Sequence, residues 1–93
     1  MLFSEFASLT PVIKLQLTRD RSIDSFVTDS RKPVVSESSV FFAMKGDRHD
    51  GHKYLQELYK LGLRQFVVEA AVDVTAFPDA NILQVPSARR ALQ

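Results

Sequence analysis

Apolar positions along this chain change their spacing several times. Leu2, Phe3, Phe6 and Leu9 recur at helical intervals, which predicts one short helix over residues 1–9, stopped before Pro11. Residues 12–17 then alternate. Val12, Lys14 and Gln16 oppose Ile13, Leu15 and Leu17, which predicts a strand with one buried face. A charged turn, Thr-Arg-Asp-Arg-Ser, leads into a second extended stretch from Ile23 to Thr28, with Ile23, Phe26 and Val27 apolar. Residues 32–39 read as a polar loop around Pro33. Val40 to Met44 is a continuous apolar run, as in a strand covered on both faces.

The second half of the chain follows the same logic. Asp50 or Gly51 can cap a helix that starts near His52, whose apolar side is Tyr54, Leu55, Leu58, Tyr59 and Leu61. Gly62 is placed to end it in the left-handed conformation, and Lys60 suits its last turn. Residues 64–69 and 81–85 are two more short buried strands, joined by a connection whose turn residues are Pro78 and Asp79. Ser87 can cap a further helix, but the sequence ends within about two turns of it, as expected of a chain cut before another domain. These elements predict an α/β fold: a small mixed sheet with flanking helices, and a β-α-β crossover around residues 54–61. The expected core contains Phe41, Phe42, Leu55, Leu58, Phe66, Val67 and Val68.

Composition narrows this picture. A chain of 93 residues is enough for one small domain over residues 1–93. Apolar residues make up 45% of it, which suits a folded protein. The net charge of +1, from 12 basic and 11 acidic side chains, argues against nucleic acid and membrane surfaces as partners. The absence of cysteine excludes disulfides and thiolate metal sites, and leans towards the cytoplasm. The N-terminus has no basic region before its apolar residues, so it does not read as a signal peptide. No apolar run approaches the roughly 18 residues of a membrane span.

Two polar clusters flank the central apolar run. Thr28-Asp29-Ser30-Arg31 precedes it, and Lys45-Gly46-Asp47-Arg48-His49-Asp50-Gly51-His52 follows. A metal site from His49, Asp50 and His52 has suitable ligand types, but the spacing spans a turn and a helix start, and no metal is expected. A Ser30 nucleophile with a histidine base lacks the strained glycine turn and the oxyanion hole such chemistry needs. Phosphate or nucleotide binding fits better. A hydroxyl, backbone N–H groups and a guanidinium at a strand end are phosphate-binding groups, and ligands of α/β sheets sit beyond the carboxyl ends of the strands. If the two flanking strands are parallel neighbours, both clusters lie on that side. The chain has no Gly-x-x-x-x-Gly-Lys-Ser/Thr loop and no Gly-x-Gly-x-x-Gly, so nothing in it points to ATP activation.

The residues also resemble a known family. Thr-Asp-Ser-Arg-Lys, a loop, then Ser-Val-Phe-Phe-Ala-Met-Lys-Gly-Asp-Arg-His-Asp-Gly-His-Lys-Tyr-Leu is similar to the N-terminal domain of Mur ligases of the MurE and MurF types. The resemblance covers about residues 23–93, while residues 1–22 match loosely. The version after Lys45 is closer to MurF than to MurE. The resemblance implies the UDP-recognition domain of an ATP-dependent ligase of peptidoglycan precursors. Such a ligase adds D-alanyl-D-alanine to UDP-N-acetylmuramoyl-tripeptide through an acyl phosphate, with ATP and Mg2+ handled by later domains of the parent chain. The fragment alone is then expected to be inactive and to hold no cofactor. Thr28, Asp29 and Ser30 match the motif that contacts UDP, with Ser30 the first choice for a direct hydroxyl contact. Asp47, Arg48 and His49 match the loop against the uridine, although His49 replaces an aromatic residue common in MurF. Arg31 either contacts UDP or braces its loop. Lys45 and His52 are second-rank candidates, with a solvated strand end and a helix-start residue as their plain readings.

Overall fold

The structure, a computed structural model, describes residues 1–28, 36–45 and 50–92. Its centre is a five-stranded sheet built from β1 (Lys14–Gln16), β2 (Ser25–Val27), β3 (Ser39–Phe42), β4 (Gln65–Val68) and β5 (Asn81–Gln84). The spatial order is β1-β5-β4-β3-β2. Strands β2, β3, β4 and β5 run parallel, and β1 lies antiparallel on the outer edge of β5. The expected mixed sheet is therefore present, and so is the crossover: β3 leads through a 3-10 turn (Gly51–Tyr54) and helix α2 (Leu55–Lys60) into its neighbour β4. Helix α1 (Phe3–Ser8) precedes the sheet and α3 (Ala88–Leu92) follows it.

The pleat sorts the apolar strand residues onto two faces. Phe41, Phe66, Val68 and Ile82 point to one side, where Leu55, Leu58, Leu63 and Phe77 cover them. Val40, Phe42, Val67, Leu83 and Val85 point to the other, under Phe3, Phe6 and Ala7 of α1 and Ala88 of α3. This two-sided cover explains why β3 and β4 read as unbroken apolar runs: every one of their residues is buried. All seven expected core residues are buried.

The two outer strands differ from their sequence patterns. The alternation over 12–17 does not bury a face; Val12, Ile13, Leu15 and Leu17 are all exposed, with Ile13 at 58%. Alternation shows that a strand could be amphipathic, but burial needs a covering layer, and β1 lies at the sheet edge beyond the helices. Gln16 is the half-buried residue of β1, and its side chain donates to the carbonyls of Phe77 and Ala80 at 3.1 and 3.0 Å. On the opposite edge, Phe26 of β2 remains half exposed yet meets Phe42 edge-on at 5.4 Å.

The amino ends of the four parallel strands share a polar feature. Each begins with a polar residue: Ser25, Ser39, Gln65 and Asn81. Ser39, Gln65 and Asn81 are buried. Asn81 Oδ1 accepts from the Thr18 and Arg19 backbone N–H groups, and its Nδ2 donates to Arg19 O at 2.6 Å. Gln65 Nε2 donates to Ser22 O and Glu37 O. The hydroxyls of Ser25 and Ser39 lie 3.0 Å apart. Buried polar groups favour pairing, and here the Asn81 amide, the Gln65 Nε2 and the serine hydroxyls pin segments at this end of the sheet, while Gln65 Oε1 has no partner among the described residues. Helix α1 is held nearby: Phe3 N–H donates to Arg21 O, and Asp20 accepts from Ser4 through both its N–H and its hydroxyl.

Candidate nucleotide site at the carboxyl edge of the sheet

The condition set by the sequence is met. Strands β2 and β3 are parallel neighbours, in register from Ser25 with Ser39 to Val27 with Phe41. Thr28 therefore leaves β2, and Lys45 follows β3, at the same end of the sheet. Thr28 and Lys45 are both exposed. Asp29, Ser30, Arg31, Asp47, Arg48 and His49 lie outside the described residues, so the structure locates the ends of both segments that carry them.

The second cluster is framed by a specific closure. Lys45 and Asp50 form an antiparallel bridge, and Gly51 N–H donates to Met44 O at 2.9 Å. The chain that leaves β3 thus returns to it. Gly51 is buried and needs its missing side chain: a Cβ there would stand 3.1 Å from Ala43 Cα and 3.1 Å from Met44 N, both backbone atoms. Asp50 caps the 3-10 turn as expected, accepting from His52 N–H at 3.0 Å. The Asp50 carboxyl is held below its usual range, first by that backbone hydrogen bond and then by the His52 side chain.

His52 has a role that its neighbours in sequence do not announce. Its Nδ1 lies 2.6 Å from Asp50 Oδ1. Its Nε2 lies 3.1 Å from the backbone nitrogens of both Glu69 and Ala70, which directly follow β4. A backbone N–H can only donate, so Nε2 accepts, and in the neutral ring the proton sits on Nδ1 and is donated to Asp50. Both ring nitrogens are thereby committed within the protein, which leaves His52 no lone pair for a metal ion. Sequence proximity could reveal the Asp50 partner, but Glu69 and Ala70 come into reach only through the crossover.

A hollow of about 830 Å³ lies elsewhere, between α1, β2 and α3, lined by residues such as Phe6, Leu9, Phe26, Pro86 and Leu92. It shares no residue with either polar cluster and is mainly apolar. The polar clusters suited to a phosphate or a base follow β2 and β3 instead, and the carboxyl edge of these strands is the candidate site. Among the described residues, no three His, Cys, Asp or Glu side chains converge as a metal site would require, and no helix is long and apolar enough to cross a membrane.

No family model matches the chain. Over 73 residues it is 34% identical to the UDP-N-acetylmuramoyl-L-alanyl-D-glutamate–2,6-diaminopimelate ligase of Clostridium botulinum, which covers 77% of the chain and 15% of that enzyme. Over 63 residues it is 33% identical to the UDP-N-acetylmuramoyl-tripeptide–D-alanyl-D-alanine ligase of Haemophilus influenzae, covering 66% of the chain and 13% of the enzyme. Among solved structures, the MurF ligase of Acinetobacter baumannii superposes with a TM-score of 0.62 at 30% identity, over 75% of the chain and 14% of that structure. The chain thus spans about 15% of the length of the curated relatives it matches.

Proposed function

The chain belongs to the Mur ligases, over the N-terminal region of those enzymes, and on that premise we propose that it recognises the UDP end of a UDP-N-acetylmuramoyl-peptide. The observation that carries this reading is the parallel pairing of β2 and β3, which sends both polar clusters out of one edge of the sheet. A second observation narrows the ligand. The chain is 34% identical to a ligase that takes diaminopimelate and 33% identical to one that takes D-alanyl-D-alanine. The names of both begin with UDP-N-acetylmuramoyl, so the part of the substrate that this segment would read is the part they share.

In this proposal Thr28, Asp29, Ser30 and Arg31 form one wall, and Asp47, Arg48 and His49 form the other, with Lys45 at its base. Hydroxyl, backbone N–H and guanidinium groups supply charge-assisted hydrogen bonds to the diphosphate. Catalysis belongs to the parent enzyme and not to this segment. The family's ATP and Mg2+ do not fit the residues present: no phosphate loop occurs in the sequence, and Gly51, the second glycine of the Gly46–Gly51 pair, is packed against the end of β3. The parent would be a cytoplasmic peptidoglycan-precursor ligase of the MurF type, whose central and C-terminal domains are the partners of this one. Solved MurF structures among the matches favour that type. The Clostridium relative favours the MurE type as the second reading. A parent of either type carries a Gly-rich Lys-Ser/Thr phosphate loop after Gln93.

The test is an NMR titration of the chain with UDP. We expect shifts at Thr28, Lys45 and Asp50 and in the segments 29–31 and 46–49, with affinity from millimolar to high-micromolar, because the few contacts must offset the entropy of association. Ser30→Ala weakens binding by about 1 kcal/mol. ATP at the same concentration moves these signals less. Shifts scattered away from both clusters, or none at millimolar UDP, refute the proposal and favour solvated turns.

A further inference from the structure

We propose that the outer edge of β1 is an interface for a second copy of this chain. Two β1 strands pair antiparallel about Leu15, and the two sheets become one continuous sheet. The proposal is independent of the UDP reading, since none of its residues belongs to either polar cluster.

Residues 12–17 alternate as a half-buried strand does, yet this chain supplies no layer to bury them. Ile13, Leu15 and Leu17 are 58%, 42% and 43% exposed. Leu15 lies opposite Leu83, so it points to the face of the sheet that carries α1 and α3. Ile13 and Leu17 fall on the same side in the alternation. Lys14 and Gln16 lie opposite Gln84 and Ile82 and point to the other face. Strand β1 is also the outermost strand, and among the described residues no strand pairs with its outer edge. Such an edge offers backbone N–H and C=O groups to an added strand. An uncovered apolar row and an open edge thus coincide on one strand.

The strand that fits this edge is β1 itself. Ile13-Lys14-Leu15-Gln16-Leu17 has the same apolar-polar order read in either direction from Leu15. About a two-fold axis through Leu15 and normal to the sheet, Leu15 faces the partner's Leu15 and Ile13 faces the partner's Leu17. Opposed side chains share a face, so the two apolar rows stay together. Charge selects this register. Here Lys14 faces the partner's Gln16, and no like charges meet. A slip of one residue sets apolar positions against polar ones. Centring the pair on Lys14 sets two lysines face to face, and centring it on Gln16 sets Ile13 against the partner's Arg19. The contact is small beside the roughly 1,200 Å² of stable complexes, so the association is weak and depends on concentration.

Sedimentation of the chain from about 10 μM to about 1 mM tests the proposal. The apparent mass should rise from the 10.5 kDa of one copy towards twice that value. Over the same range, NMR amide shifts should move at residues 13–17 and stay fixed at Phe26 and Leu92, which line the apolar hollow. Leu15→Lys and Leu15→Glu each set like charges opposite one another, and each should stay monomeric throughout. An equimolar mixture of the two should associate again, because position 15 meets its own copy. Leu9→Gln, in the hollow, should associate as the unsubstituted chain does. A monomer at about 1 mM, a dimer that survives Leu15→Lys, a mixture that stays monomeric, or loss of the dimer in Leu9→Gln overturns the proposal. The concentration-dependent shifts need no variant and decide the matter if a substitution unfolds the chain: shifts at the hollow in place of β1 overturn it as well.

Discussion

Two glycines illustrate how single residues act here for different reasons. Gly62 has φ +107°, a conformation that opposes any Cβ, although nothing lies within 4 Å of where one would be. Gly62→Ala should cost about 1 kcal/mol or more through backbone strain alone. Gly51 is limited by space, with backbone atoms of Ala43 and Met44 at 3.1 Å from a built Cβ. Gly51→Ala should cost about 1–3 kcal/mol by forcing the 3-10 turn away from the end of β3. Chemical denaturation of both variants measures the two effects. Asp50 adds a pH dependence. Its carboxyl is stabilised in the ionised form by the fold, so its contribution is present at neutral pH and is lost as pH falls below the ordinary value of 3.8 and through the lower folded value. Melting curves recorded from about pH 5 to about pH 2 should therefore be less pH-dependent in Asp50→Asn than in the unsubstituted chain. The capping role of Asp50 and the left-handed Gly62 are legible in the sequence because both depend on near neighbours. The bonding of His52 across the crossover is not, since its acceptor nitrogen bonds residues 17 and 18 positions away.

Among the elements, burial decides what a pattern can reveal. Strands β3, β4 and β5 lie inside the sheet between two layers, and their apolar runs identify them. The edges of the sheet break the rule: β1 alternates without a cover, and β2 keeps Phe26 half exposed. A polar residue heads each parallel strand, and that recurrence was available in the sequence as a signal of strand starts, but its purpose lies in the segments it pins. The two-layer cover makes a direct prediction. Phe42 belongs to the face under α1 and α3, and Leu58 to the face under α2. Each substitution to alanine should cost about 2–5 kcal/mol. A domain of this size has only about 5–14 kcal/mol in all, so Phe42→Ala with Leu58→Ala should abolish cooperative melting. A sharp thermal transition in the double variant would refute the assignment of two separate cores.

For the molecule as a whole, the sequence pattern predicted the α/β sheet that the structure shows, and the resemblance pointed to the family. Periodicity alone left the strand order open, because short buried runs carry no information about their partners. The parallel pairing of β2 and β3 is the structural fact that puts Thr28 and Lys45, where the two polar clusters begin, at one edge of the sheet. The row of Ser25, Ser39, Gln65 and Asn81 has a consequence of another kind. It makes one end of the sheet intolerant of change, since Thr18, Arg19, Ser22, Ser36 and Glu37 are each bonded to a buried side chain there. Thr28 and Lys45 leave the far end, where none of those bonds is made. Asn81→Ala should therefore cost about 1–3 kcal/mol by removing the buried side chain that holds the backbone of Thr18 and Arg19. Two or three residues added between Thr28 and Ser36 should leave the melting temperature nearly unchanged, since loop closure entropy rises slowly with length. Because those bonds gather at one end of the sheet, changes at Thr28 and Lys45, at the other end, leave that foundation fixed.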